Sequence, residues 1–232
     1  MTLHRKTSVF LLALSLGTVA GCSGVPGKPM DLSAWVQPDC KGEDPDGELG
    51  IRYDSIEGLM DSGRHRAALT HIQLLENDHG TTQRSQLWKA KALRQIGRLD
   101  EAQRAYGELT NGCFASVAYH GLGRTLGKKG DWTAARQALD QARQLNPISP
   151  AIHNDLGYAR LKTGAYEPAV ESFRTALELD AGRTRAANNL VLALLLMGEK
   201  QQAEKLLEPF DIPADRWVKL QSQADSWVVD ET

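Results

Sequence analysis

A Gly is followed five residues later by an Ala at Gly63/Ala68, Gly97/Ala102, Gly130/Ala135, Gly164/Ala169 and Gly198/Ala203, at intervals of 34, 33, 34 and 34 residues. Four agreeing intervals at two positions constrain the architecture more than any other feature of the chain. A period near 34 belongs to a helical solenoid, whose units are antiparallel helix pairs that bury their apolar faces only against neighbours. Other positions keep the period. Four residues after each Ala stand Ile72, Tyr106, Leu139, Phe173 and Leu207, and seven after it Leu75, Leu109, Ala142, Ala176 and Phe210. The repeating Gly predicts a turn with positive φ that ends the first helix of each pair. The Ala predicts the place where the two helices come closest.

Repeat three opens with Leu122-Gly123 and ends with Leu145-Asn146-Pro147, while repeat four opens with Leu156-Gly157 and ends with Leu179-Asp180. With the Gly and Ala positions, these residues resemble the tetratricopeptide repeat (TPR). The resemblance runs over residues 49–211 and is best over 116–183. It implies an all-α fold, a right-handed superhelix of about five helix-turn-helix repeats. Ser55-Ile56 in repeat one, Lys89-Ala90 in repeat two and Val191 in repeat five depart from the pattern. Pro213 suits the first turn of a further helix, and Trp217 and Leu220 share one of its faces. Residues 212–232 are therefore expected to form a capping helix and tail.

The N-terminal residues follow a different logic. His4, Arg5 and Lys6 form a positive head, Val9–Leu16 is a short apolar run, and Val19-Ala20-Gly21-Cys22 closes it with small residues. The run is short for a permanent membrane span and has the layout of an export signal. Val-Ala-Gly-Cys resembles the bacterial lipobox. That likeness implies a signal peptide over residues 1–21 and lipidation of Cys22. Ser23 follows it, where an Asp often holds lipoproteins in the inner membrane. The expected location is the periplasmic face of the outer membrane, with the lipid as sole anchor. Residues 22–48, rich in Gly, Pro and acids, read as a flexible arm.

Gly121-Leu122-Gly123-Arg124-Thr125-Leu126-Gly127-Lys128-Lys129-Gly130 suggests a phosphate loop, but Leu122 stands where a Gly is needed and Lys129 where a Ser or Thr should follow the Lys. Neither an HExxH nor a GxSxG pattern occurs, and the six histidines do not cluster. No enzyme and no cofactor is expected. A formal net charge of -2 speaks against nucleic acid as partner. Besides Cys22 the chain has Cys40 and Cys113, which can pair in an exported protein or stay as one buried and one exposed thiol.

The TPR resemblance implies a concave groove lined by the first helix of each pair, at positions two, five, nine and twelve. Carried onto this chain, these are Arg84, Leu87, Lys91 and Arg94 in repeat two, and Val117, His120, Arg124 and Gly127 in repeat three. Repeat four contributes Ala151, Asn154, Tyr158 and Leu161, and repeat five Arg185, Asn188, Leu192 and Leu195. One end of this set is basic, and the other carries Asn and apolar residues, which suits a peptide with acidic and aliphatic parts. The lipobox, the short arm, the repeats and the stretches Asn154–Ala159 and Asn188-Asn189-Leu190 together resemble the TadD family of Flp pilus (tight-adherence) assembly lipoproteins. That resemblance implies a pilotin-like role toward an outer-membrane secretin, alongside other pilus-assembly proteins, with the oligomeric state set by the partner. Pilotins of the PilF/PilW kind and NlpI-like scaffolds for cell-wall enzymes are the alternatives.

Overall fold

The computed structural model describes residues 48–182 and 184–229. Among them there are eleven α-helices and no strand. In chain order they are α1 (Glu48–Asp61), α2 (His65–His79), α3 (Gln83–Gln95), α4 (Leu99–Glu108), α5 (Ala115–Lys129), α6 (Trp132–Leu145), α7 (Pro150–Lys162), α8 (Tyr166–Leu179), α9 (Thr184–Leu196), α10 (Lys200–Glu204) and α11 (Ala214–Asp225). Consecutive helices from α1 to α10 pack on one another, and α3, α5, α7 and α9 each touch the next odd-numbered helix. The fold is an all-α solenoid of helix pairs.

The turn inside each pair is built the same way five times. Gly63, Gly97, Gly130, Gly164 and Gly198 have φ between 73° and 90°. Around Gly130, its own N–H donates to the Gly127 carbonyl at 3.2 Å, and the Asp131 N–H reaches back to the Leu126 carbonyl at 3.1 Å. This pair of bonds closes the last turn of the helix and needs a left-handed residue between its two donors. The same two bonds recur at the other four glycines, from Gly63 and Arg64 to Gly198 and Glu199. The sequence period is thus a period of helix stops. Starts are less uniform. Asp131 caps α6 by accepting from the Ala134 N–H at 2.9 Å, Thr82 and Ser85 form a capping box on α3, and Pro150 occupies the first turn of α7.

Each repeating Ala, from Ala68 to Ala203, is completely buried. Gly123 and Gly157 lie at the other close approach. A Cβ at Gly157 would come within 2.6 Å of the Phe173 ring, and one at Gly123 within 2.5 Å of Leu139 Cγ. The core is correspondingly local. Small clusters join successive pairs, and the largest gathers Phe173, Leu190, Val191, Ala203 and Leu220 from α8 to α11. Ala169 sits in that cluster at zero exposure. Ala169→Leu should therefore overpack α7 against α8 and cost about 1–3 kcal/mol, read as a lower midpoint in urea unfolding.

The fifth pair departs from the expected two full helices. α10 has only five residues, Lys200–Glu204, and turns follow as far as Asp211. Past Glu204 the backbone bonds shorten, the Leu206 and Leu207 N–H groups donating to the Ala203 and Glu204 carbonyls at 3.1 Å, and Pro209 has no N–H with which to resume the ladder. Asp211 then takes a φ of 47°, and Ile212 is buried as the chain turns. α11 packs on α9, with Leu220 at 1% exposure and Trp217 against the same cluster.

Candidate functional site

The odd-numbered helices line a concave face that carries two adjoining cavities. The larger, of about 420 Å³, lies between α3, α5, α7 and α9. The smaller, about 230 Å³, extends toward α1. Arg94 and Arg124 line both. Lys128 and Arg185 join them around the larger cavity, and Trp132 and Tyr158 form its apolar wall. Among the described residues Asp155 is the only carboxylate in that lining.

Asp155 organises the floor. Its Oδ2 accepts from His120 Nε2 at 2.8 Å and lies 3.6 Å from Arg124 Nε. Its Oδ1 accepts from Asn154 Nδ2 at 3.1 Å, and Asn154 Oδ1 in turn accepts from Asn189 Nδ2 at 3.0 Å. Burial pushes the Asp155 carboxyl up, but the bond from His120 and the charges of His120 and Arg124 outweigh it, leaving the group below the usual aspartate range. The cations are under the opposite pressure. Burial, and then the neighbouring Arg94, lower Arg124; Lys128 is lowered by burial and by both arginines. Lys91 is also lowered, first by burial, with Glu57 opposing and Arg94 adding to the effect. Arg94 is 6% exposed, and its Nε has no hydrogen-bond partner among the described residues.

The C-terminal segment borders this face. The Trp227 ring meets Tyr158 edge-on at 6.0 Å, and Tyr158 meets Trp132 at 5.4 Å. Lys162 Nζ lies 4.8 Å over the Trp227 ring and donates to the Val228 carbonyl at 3.0 Å. Trp227, which follows α11, thus extends the aromatic row that begins in the cavity wall.

The residues expected in the groove divide into three sets. Lys91, Arg94, His120, Arg124, Asn154, Tyr158 and Arg185 line the two cavities or the adjoining hollow beside α7. Leu87, Leu161 and Leu192 do not offer apolar contact to a ligand; they are 5%, 0% and 1% exposed, buried in the inter-helix core. Half-buried Leu195 also packs against the C-terminal cluster. Arg84 lies over the Tyr53 and Trp88 rings at 5.7 and 6.0 Å, and Asn188 is half-buried with its Oδ1 out of solvent. Asn154 is only 4% exposed, with both ends of its amide bonded inside the protein, so it shapes the floor and is not free to read a peptide backbone. The expectation of a basic end and an Asn-rich apolar end is corrected as well. Arg185 on α9 joins Arg94 and Arg124, so positive charge gathers in the middle.

Asp155, Lys128, Trp132 and Asn189 were missed for a geometric reason. Positions five and twelve face partly into the stack, where Leu87 and Leu161 lie. In repeats three to five the stripe at two, six, nine and thirteen supplies most of the cavity lining, although its members Gly121 and Leu192 are buried. It contains Arg185, Asp155, Asn189, Arg124, Tyr158 and Lys128, at the 4-3-4 spacing of one helix face.

Cys113, in the turn before α5, takes part in a disulfide. The other two cysteines, Cys22 and Cys40, both lie outside the described residues, as do the signal peptide and the arm. No described helix is long and apolar enough to cross a membrane.

Residues 120–184 match the tetratricopeptide-repeat family profile. The chain is 30% identical to a TPR repeat-containing protein of Pseudomonas aeruginosa over 218 residues, covering 93% of this chain and 84% of that one. It is 26% identical to the lipoprotein NlpI homolog of Haemophilus influenzae over 152 residues, which span 65% of this chain and 45% of that protein. Among solved structures, MamA of Desulfovibrio magneticus superposes with a TM-score of 0.59 at 15% identity, over 78% of this chain and 99% of that one. At that identity the likeness speaks for the fold alone.

Proposed function

The chain belongs to the tetratricopeptide-repeat family, and from that premise we propose that it is a non-enzymatic, lipid-anchored assembly factor which binds a segment of an outer-membrane secretin in its concave groove. The observation that carries this reading is the groove itself, a continuous face with a basic centre and an aromatic wall. Helix packing positions that wall, and a groove with charged and apolar parts side by side suits a partner segment. A TPR solenoid of this kind acts by binding protein partners. The lipobox at Cys22 and the acidic, turn-rich arm add a means of carrying such a partner to a membrane. The resemblance to TadD-type lipoproteins favours the Flp pilus as the system served, on the periplasmic face of the outer membrane.

The test is genetic and biochemical. Deletion of the gene should strongly reduce heat-resistant secretin multimers in the outer membrane. The Cys22→Ala chain should fail to restore them while leaving the outer-membrane fraction. Normal secretin assembly in the deletion strain would defeat the pilotin reading. A second reading has its own support in the similarity to the Haemophilus influenzae NlpI homolog. An NlpI-like scaffold would leave secretin multimers intact and instead co-purify with cell-wall hydrolases.

A further inference from the structure

Arg94, Arg124, Lys128 and Arg185 come from three helices and meet around one cavity that holds a single carboxylate, Asp155. That carboxylate is already engaged by His120 and Asn154. The cup therefore has an excess of positive charge. Arg94 is the least expected member, since an arginine only 6% exposed is normally paired. Its charge acts on the neighbouring Tyr106 hydroxyl, yet its Nε is buried without a partner among the described residues. A buried, unmet N–H donor on a cation costs stability unless a bound group completes it. The apolar side of the cup is made by Trp132, Tyr158 and Leu139.

We propose that this cup is a carboxylate-binding subsite that recognises an acidic side chain of a partner segment, with the aromatic or long aliphatic residue beside it resting on Trp132 and Tyr158. The proposal rests on reading the groove as a partner-binding surface and names the chemistry it selects. A carboxylate fits the arginine fork with two parallel N–H···O bonds and relieves the mutual repulsion of four cations. Asp155, inside the cup, disfavours a doubly charged phosphate. The adjoining cavity brings Glu57 and Asp61 beside Lys91, so positive charge does not continue as the stripe a nucleic-acid backbone requires.

The probes are three fluorescein-labelled, amidated hexapeptides of alternating Glu-Phe, Gln-Phe and Lys-Phe, titrated into the full chain and followed by anisotropy. Glu-Phe should bind at least about tenfold more tightly than Gln-Phe, the loss expected when one charge-assisted bond to a buried donor is removed. Its affinity should fall with added salt, and Lys-Phe should not bind. Arg94→Met should abolish the preference for Glu over Gln. Because Arg94 is buried, the exposed pair Lys128→Gln with Arg185→Gln serves as a second variant and should reduce the same preference while circular dichroism stays unchanged. Equal binding of Glu-Phe and Gln-Phe, or no binding of either, would overturn the subsite. So would displacement of Glu-Phe by inorganic phosphate at matched ionic strength, or tighter binding of oligodeoxythymidine. A secretin defect in the deletion strain alongside a negative peptide titration would remove this subsite and leave the assembly function standing.

Discussion

Phe173→Ala should destabilise the protein by about 3–5 kcal/mol, the range for emptying a buried aromatic site. Phe173 has no exposed surface and fills the space over Gly157, where the backbones of α7 and α8 approach. Helix backbone forms one wall of the cavity, so neighbouring side chains can refill little of it. Urea unfolding reads the loss as a lower midpoint. The pairing with Gly157 gives a sharper test. In the native protein Gly157→Ala forces a Cβ to within 2.6 Å of the Phe173 ring and should destabilise. In the Phe173→Ala background the clash is gone, and Ala is the better helix former by roughly 1 kcal/mol. The same substitution should then stabilise. This reversal of sign is the expected signature of two residues in direct contact. If Gly157→Ala has the same effect in both backgrounds, the two are not packed as described.

Asp155→Ala should cost about 1.5–3 kcal/mol at neutral pH, the worth of hydrogen bonds to a charged, largely buried group. It leaves His120 without its acceptor and takes from Arg94, Arg124, Lys128 and Arg185 the one carboxylate of the larger cavity. The pH dependence follows from the downward shift of the Asp155 carboxyl. A carboxyl whose folded value lies below its unfolded value stabilises the protein fully above the unfolded value. That contribution is lost as pH falls through the folded one. The native protein and Asp155→Asn should therefore differ by a constant amount near neutrality. The gap should close only on acidification below about 3.9, the ordinary aspartate value. Urea midpoints measured from pH 7 to pH 3 give both curves, and parallel curves throughout would contradict the arrangement. Asp155→Asn should also tighten binding of the Glu-Phe peptide, because it removes the carboxylate that competes for the cup.

What the sequence determined is everything that recurs with the period. The five Gly/Ala pairs gave the number of helix pairs, the place where each first helix stops and the residue at each closest contact, because each of these depends on interactions within about 35 residues. The backbone bonds at Gly130 and Asp131 reach back only a few residues, so a local motif suffices to specify them. Which face of a helix is wet depends instead on how the next pair leans against it. Asp155 and Asn189 look onto the cavity while Leu161 and Leu192 are shut into the core, and nothing within one repeat distinguishes them. The gathering of Arg94, Arg124, Lys128 and Arg185 is still further from the sequence, since these residues lie up to 91 positions apart, in repeats two, three and five. Only the curvature of the stack brings them around one cavity, because each pair is rotated a little on the last and the rotations accumulate.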